Sequence, residues 1–412
     1  MNQGAMHQTE TYTLSNGIRL IHQEIEGAVG YCGLFIHTGA RDEKPEEHGM
    51  AHFIEHMLFK GTQKRKAFQI LSRMDNVGGD INAYTTKEET CIHTAFLNKD
   101  FPRALELISD IVFHSSFPSH ELEKEKEVII DEINSYRDNP SEYIFDEFDE
   151  VIFGNSPLGR NILGTEESVK SFSHDDIQRF ITHNYFTGQM VISTVGNVSF
   201  KRLIKWAERY FGMRDQKTNI YKRKPSPAYS ASYLKKEKNT HQAHCIIGNT
   251  GYAFQNGRRP GLILLNNILG GPGLNSRLNM SLREKYGYAY NVESNYSPYT
   301  DTGIVSIYFG TEKRNLEKSR RLVYREFDRL RQKKLGVQQL KQAREQLKGQ
   351  MAIFYDNPEN RMMSFGKNMM SYGSFESLES WFERIDSITA EEILDIAGDI
   401  LDEKKLSELI YV

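Results

Sequence analysis

His52, Glu55 and His56 stand in the spacing H-x-x-E-H inside the apolar run Gly49-Met-Ala-His-Phe-Ile-Glu-His-Met-Leu-Phe-Lys-Gly-Thr62. On an α-helix each residue advances about 100°. His52 and His56 therefore lie one turn apart on one face, and Glu55 shares that face. Two imidazoles so placed can hold one metal ion, and the carboxylate between them can reach a water held there. The pattern is the inverted form of the H-E-x-x-H metal motif. A buried helix whose two histidines are merely hydrogen-bonded would show the same five letters, so the rest of the chain has to supply a third ligand.

The remaining sequence narrows the class. At 412 residues the chain exceeds the length at which single cores stop growing, so two domains are expected. A net charge of −3 leaves no basic footprint and argues against a nucleic-acid partner. Cys32, Cys91 and Cys245 are far apart and odd in number, which disfavours a disulfide framework and fits a reducing, cytoplasmic setting. Residues 1–14 are polar, without the apolar stretch of a secretory signal, and Met6 is a candidate start. No run approaches the roughly 18 apolar residues a membrane span needs, so no membrane partner is expected.

Along the chain, Asn16-Gly17 between alternating apolar positions is a hairpin signal, and 29–37 is a second strand. The motif helix follows a charged loop at 42–48 and is closed by Gly61. A helix at 66–76 stops at Gly78-Gly79, and strands follow from Asp80 and Glu89. Helices are read at 102–113 and 119–137, the latter ended by Asn139-Pro140, with another from Ser141. Ser173 opens a helix as its N-cap, 190–198 is a strand, and 201–211 a helix. Residues 215–230, polar and then Lys224-Pro-Ser-Pro, make the best linker. Beyond it the order repeats: strand 244–248, helix 260–269, a glycine-rich turn, a helix, strands 288–296 and 303–310, two helices and a final strand, 407–412. The 260–269 helix takes the place of the motif helix but holds no His or Glu. The expectation is an α+β chain of two similar halves, each a mostly antiparallel mixed sheet flanked by helices. Domain 1–214 is expected to carry the metal site, and domain 231–412 to have a similar fold without one.

A catalytic zinc takes three protein ligands and leaves one position open. The 119–137 helix offers Glu121, Glu123, Glu125, Glu127 and Glu132, most of them solvated by default. Glu132 lies between Val128-Ile-Ile and Ile133, in the part of the helix expected to be buried. Glu125 lies two turns earlier on the same face, placed to bond a ligand histidine's free N–H.

The stretch 51–62 resembles the active-site helix of the pitrilysin, insulin-degrading enzyme and mitochondrial processing peptidase family of zinc endopeptidases. In that family the third ligand is a Glu about 76 residues after the second His, which here is Glu132, with a helper Glu seven residues before it, here Glu125. The likeness continues at Gly79-Asp-Ile-Asn-Ala-Tyr-Thr85 and at Leu282-Arg-Glu-Lys-Tyr-Gly-Tyr-Ala-Tyr-Asn-Val292, and the chain length matches the short subfamily. It implies one zinc ion per chain on His52, His56 and Glu132, with Glu55 as general base. It further implies Arg283 and Tyr290 as donors to the oxyanion or the substrate backbone. Asn82 and Ala83 would offer backbone to a peptide bound as an added strand, Phe59 would line the pocket after the scissile bond, and Glu142 and Asp146 would hold a basic side chain. On their own, Arg283 reads as a surface ion pair, Tyr290 as an ordinary strand aromatic, and Glu142 and Asp146 as exposed carboxylates. Pro272 in the glycine-rich turn, and Tyr286 and Tyr288, depart from the family pattern. A short chain forms half a chamber, so a homodimer is expected. The rival expectation is a non-catalytic peptide-binding or scaffold subunit, a kind that typically lacks part of the zinc set, whereas this chain lacks none of it.

Overall fold

The computed structural model describes residues 9–213 and 223–412. The polar N-terminal stretch with Met6 and most of the expected linker, 215–222, lie outside the described residues; 223–230 carries no regular structure. The chain forms two compact units.

The first unit is built on a six-stranded sheet of β1 (Thr9–Thr13), β2 (Arg19–Glu24), β3 (Val29–Ile36), β4 (Asp80–Thr85), β5 (Thr90–Leu97) and β6 (Met190–Gly196). Its order is β1-β2-β6-β3-β5-β4. The β2–β6 pair is parallel and every other pair antiparallel. Asn16-Gly17 does turn β1 into β2, with Gly17 at φ 91°, where a side chain would be strained. In β3 apolar residues occupy both parities because both faces are covered. Cys32, Leu34 and Ile36 pack into a core with the motif helix and helix Phe101–Phe113. Phe35, with Ile21 of β2 and Val191 and Val195 of β6, packs instead on Met362, Phe365 and Met369 of helix Pro358–Tyr372.

The second unit has five strands, β7 (Tyr233–Lys236), β8 (Ala243–Gly251), β9 (Ala289–Pro298), β10 (Gly303–Thr311) and β11 (Ser407–Tyr411), ordered β7-β11-β8-β10-β9. Here β7–β11 is the parallel pair, and the others are antiparallel. Strand for strand this repeats β2-β6-β3-β5-β4 in order and sense. Helix Arg259–Gly270 follows β8 as the motif helix follows β3. Cys245 and Ile247 face a core with that helix. Ile246, Tyr308, Leu409 and Tyr411 face Ile144, Phe148 and Ile152 of helix Pro140–Phe153.

Each sheet is thus closed by a helix drawn from the opposite half of the sequence. The compact units are Met1–Asn134, Asn161–Arg223 and Phe354–Phe375, and Ser135–Arg160, Lys224–Ile353 and Glu376–Val412. These differ from the continuous stretches 1–214 and 231–412, because an amphipathic helix must bury its apolar face but its own sequence does not say on which sheet. A second correction concerns the end of the chain. Between β10 and β11 the described residues hold five α-helices, not two: Leu316–Gln332, Val337–Asp356, Pro358–Tyr372, Leu378–Ser387 and Ala390–Ile400. The three cysteines are free and buried. Among the described residues no helix is long and apolar enough to cross a membrane.

Candidate metal centre

The motif helix spans Met50–Leu58. Nine residues would be marginal as an isolated helix; this one is held by burial of Met50, Ala51, Phe53, Ile54, Met57 and Leu58 in the core. Gly49 is its N-cap at φ 94°, and a Cβ there would lie 2.7 Å from the Leu163 carbonyl, so glycine is required on two counts. With the apolar face inward, His52, Glu55 and His56 come to the rim. His52 is buried, and Glu55 and His56 are half-buried.

Helix Ser119–Arg137 brings Glu132 to the two imidazoles. His52 Nε2 stands 3.9 Å from Glu132 Oε1, and His56 Nε2 stands 3.6 Å from Glu132 Oε2. Ligand atoms about 2.0–2.2 Å from a tetrahedral zinc are about 3.3–3.6 Å apart, so the three side chains fit such an ion with small adjustment. Among the described residues this is the one group of three or more His, Cys, Asp or Glu whose ligand atoms gather within 4.8 Å. Glu132 is not buried, contrary to its apolar sequence context: its side chain is 44% exposed. The helix buries Leu122, Glu125, Lys126, Ile129, Ile130 and Ile133. Glu132 falls beside that stripe, at the margin where solvent reaches the group, as an open coordination position requires.

The tautomer of His56 is set from behind. Its Nδ1 lies 2.8 Å from Glu125 Oε1, and the other oxygen of that buried carboxylate lies 2.6 Å from Lys60 Nζ. An Nδ1–H donated to Glu125 leaves the Nε2 lone pair facing Glu132, the state a ligand needs. Burial works against the imidazolium of His56, but the hydrogen bond and charge of Glu125 prevail and raise its pKa. Burial also opposes Glu125's ionisation, yet His56 and Lys60 hold its pKa below the usual carboxylate value. His52 is pushed down to about 3, first by burial and then by His56, and so is neutral and able to ligate. Its Nδ1 is buried without a hydrogen-bond partner. Burial raises the pKa of Glu55, the direction that suits a proton acceptor working near neutral pH.

The other expected residues divide by unit. Asn82 and Ala83 lie on β4, which among the described residues is an edge strand paired with β5 alone, and the motif helix packs against β4. Phe59 is the C-cap of the motif helix, half-buried on the core. Arg283, Tyr290, Glu142 and Asp146 belong to the second unit. Arg283 sits on a π-helical segment, Asn279–Lys285, 3.6 Å from Glu284. Tyr290 is 85% exposed. It lies where Phe309 pairs with Val292 but Thr311 with Ala289, so Tyr290 and Asn291 oppose Gly310 alone. Such a bulge re-aims a side chain and recurs beside functional sites. The Tyr286 and Tyr288 rings stack with centroids 5.5 Å apart. Glu142 is exposed, and Asp146 lies by the phenol of Tyr136, whose pKa burial and then Asp146 raise. Sequence reasoning missed Lys60: it stands beyond Leu58, the last residue of the motif helix, where the turn bends it back toward Glu125, and helical spacing carries no signal for that.

A family model described as insulinase (peptidase family M16) matches residues 20–166, and one described as peptidase M16 inactive domain matches residues 171–347. The Bacillus subtilis protein named uncharacterized zinc protease YmxG is 34% identical over 404 residues, covering 97% of each chain. An uncharacterized zinc protease of Rickettsia bellii is also 34% identical, over 92% of this chain and 91% of its own. The chain belongs to the M16 peptidase family. The crystal structure of a protease from Helicobacter pylori has the same fold, with a TM-score of 0.91 at 18% identity over 98% of this chain and 99% of the other.

Proposed function

We propose that the protein is a zinc metalloendopeptidase that hydrolyses peptides or unfolded segments within a homodimeric chamber. The observation that carries this reading is the convergence of His52, His56 and Glu132, with His56 oriented by Glu125 and Glu55 on the same helical face. When bound, zinc supplies a Lewis acid that polarises the scissile carbonyl and acidifies a water. His52, His56 and Glu132 hold it, one ion per chain, and Glu125 keeps the lone pair of His56 turned toward it. Glu55 accepts the proton of the attacking water and returns it to the leaving amine. The free edge of β4 at Asn82 and Ala83 supplies backbone hydrogen bonds to an extended substrate. Arg283 and Tyr290 donate to the developing oxyanion or the substrate backbone, where a single donor is worth roughly 3–4 kcal/mol. Phe59 lines the pocket after the scissile bond, and Glu142 and Asp146 favour a basic residue near it. The buried free cysteines support a cytoplasmic setting.

The test is a pair of variants on a defined peptide library, with products read by mass spectrometry. Glu55→Gln is expected to keep stoichiometric zinc and lose turnover, and Glu132→Gln to lose the metal. Full turnover in the first or full zinc in the second refutes the assignments. Zinc-loaded wild type that cuts nothing in the library favours a non-catalytic peptide-binding subunit. Light scattering of the isolated chain tests the dimer; a persistent monomer refutes it.

A further inference from the structure

The turn before the motif helix contains a buried ionic cluster that the metal group itself does not use. Gly49 brings no side chain to the N-cap, so the first N–H groups of the helix have to be met from elsewhere. Glu43 meets two of them. Its Oε2 accepts from Gly49 N and its Oε1 from Ala51 N, each at 2.9 Å. Glu43 is 4% exposed. A buried carboxylate that spans two N–H groups at the positive end of a helix is a charge-assisted, bidentate cap. It grips the residue immediately before His52.

Glu43 is itself held through its neighbour. Asp42 accepts from Gly39 N at 3.0 Å and from the fork of Arg223, with Nε to Oδ1 and Nη2 to Oδ2 both 2.8 Å. The same guanidinium donates to His37 Nε2 at 2.6 Å and to the Glu88 carbonyl at 2.7 Å. One buried arginine thus ties together the end of β3, the capping turn and the β4–β5 turn. Gly39 lets these parts close up, since a Cβ there would lie 2.3 Å from the Thr86 carbonyl. Arg223 is the last residue of segment Asn161–Arg223, after which the chain passes into the second unit.

We propose that Arg223 and Glu43 are positioning residues for the metal helix. The Arg223 fork locks turn 39–43, and Glu43 carries that lock into the first helical turn, fixing the height and rotation at which His52 and Glu55 are presented. The helix must meet Glu132, which stands on a different helix. A productive site tolerates misplacement of only about 0.5 Å, and a nine-residue helix packed by apolar contacts alone can slide or roll by that much. Directional ionic hydrogen bonds remove that freedom. Nothing but an arginine makes the two-toothed contact to Asp42 and still reaches the two other acceptors.

The inference rests on the zinc-peptidase reading, and the experiment separates the two. Zinc affinity is measured by competition with a chromophoric chelator, kcat and KM on a quenched peptide at saturating zinc, and Tm on the metal-free protein. Wild type that takes up no zinc and cuts no peptide refutes both. With wild type active, Glu43→Gln is expected to weaken zinc binding about tenfold and lower kcat about 10–100-fold with KM within twofold. Arg223→Lys, which keeps the charge but loses the fork, is expected to lower both in the same direction by about fivefold or more. The double variant should be no worse than Glu43→Gln alone, because the two residues act in series. Zinc affinity and kcat within twofold of wild type in both single variants overturn the proposal. So does a fall in Tm unaccompanied by either loss, or losses that multiply in the double variant. Should Glu43→Gln fail to fold, Arg223→Lys decides by the same readouts.

Discussion

Lys60, Glu125 and His56 form a chain in which each side chain fixes the next, and its worth is measurable. Glu125→Gln replaces an acceptor for His56 Nδ1–H by an amide that can also donate, and strands Lys60 beside it. Such changes behind a ligand typically weaken metal binding about 10–100-fold. That loss, read by chelator competition with the metal-free Tm as control, is expected here, while Lys124→Gln, solvent-exposed on the same helix, should leave affinity unchanged. His37 supplies a pH prediction. Burial and then Arg223 hold its pKa at about 4, against about 6.5 in an unfolded chain. The folded form binds the proton more weakly, so its contribution is intact above pH 6.5 and is lost as pH falls toward 4. The loss amounts to roughly 3 kcal/mol. Denaturant unfolding of His37→Gln should show a flatter dependence on pH in that window than wild type; parallel curves would rule the assignment out. His22, also pushed down by burial, sets a background slope of the same sign in both proteins.

Helix Pro358–Tyr372 closes the second face of the first sheet by close approach. A Cβ on Gly366 would lie 2.1 Å from the Phe35 ring, and one on Gly33 would lie 2.8 Å from Met362 Sδ. Phe35 is fully buried on β3, so it cannot swing away. Gly366→Ala is therefore expected to destabilise the first unit by about 1–3 kcal/mol through overpacking, despite alanine's better helix propensity. A thermal melt that shows stabilisation would mean that the helix shifts freely on the sheet. Gly248 plays the matching part in the second unit, where a Cβ would lie 2.9 Å from the Phe148 ring. The same device, a glycine facing an aromatic ring across the helix–sheet contact, thus recurs in both topological repeats, with the glycine on the helix in one and on the strand in the other.

The exchange of closing helices shapes how the chain can be divided. A fragment 1–214 keeps every ligand of the candidate metal centre but lacks 354–375, leaving the β-sheet face of Ile21, Phe35, Cys91, Val191 and Val195 uncovered. A patch of that kind exceeds what soluble monomers expose. The fragment alone is expected to bind the dye ANS and to aggregate, and co-expression with 215–412 to restore a folded protein; a monomeric, dye-silent fragment would show that the helix is dispensable. The strand-for-strand repeat fits a duplicated unit in which the second copy, Arg259–Gly270 in place of the motif helix, has neither His nor Glu.

What could be read along the chain was local. His52, Glu55 and His56 are related by helical periodicity, as are Glu125 and Glu132, seven residues apart. Asn16-Gly17 makes its hairpin, and Ser173 caps its helix through its hydroxyl, because backbone geometry settles such short-range relations. The joining of Glu132 to the histidines across 76 residues came from family resemblance, since no periodicity links two separate helices. Folding alone revealed the rest. Glu132 lies at a margin although its neighbours in sequence are apolar. Lys60 turns to Glu125, and Arg223 reaches Asp42 over 181 residues. The helices at 140–153 and 358–372 cover the sheets of the opposite halves. Amphipathic pattern states that a face must be buried; the partner that buries it is chosen by packing among distant segments, and one-dimensional periodicity holds no record of that choice.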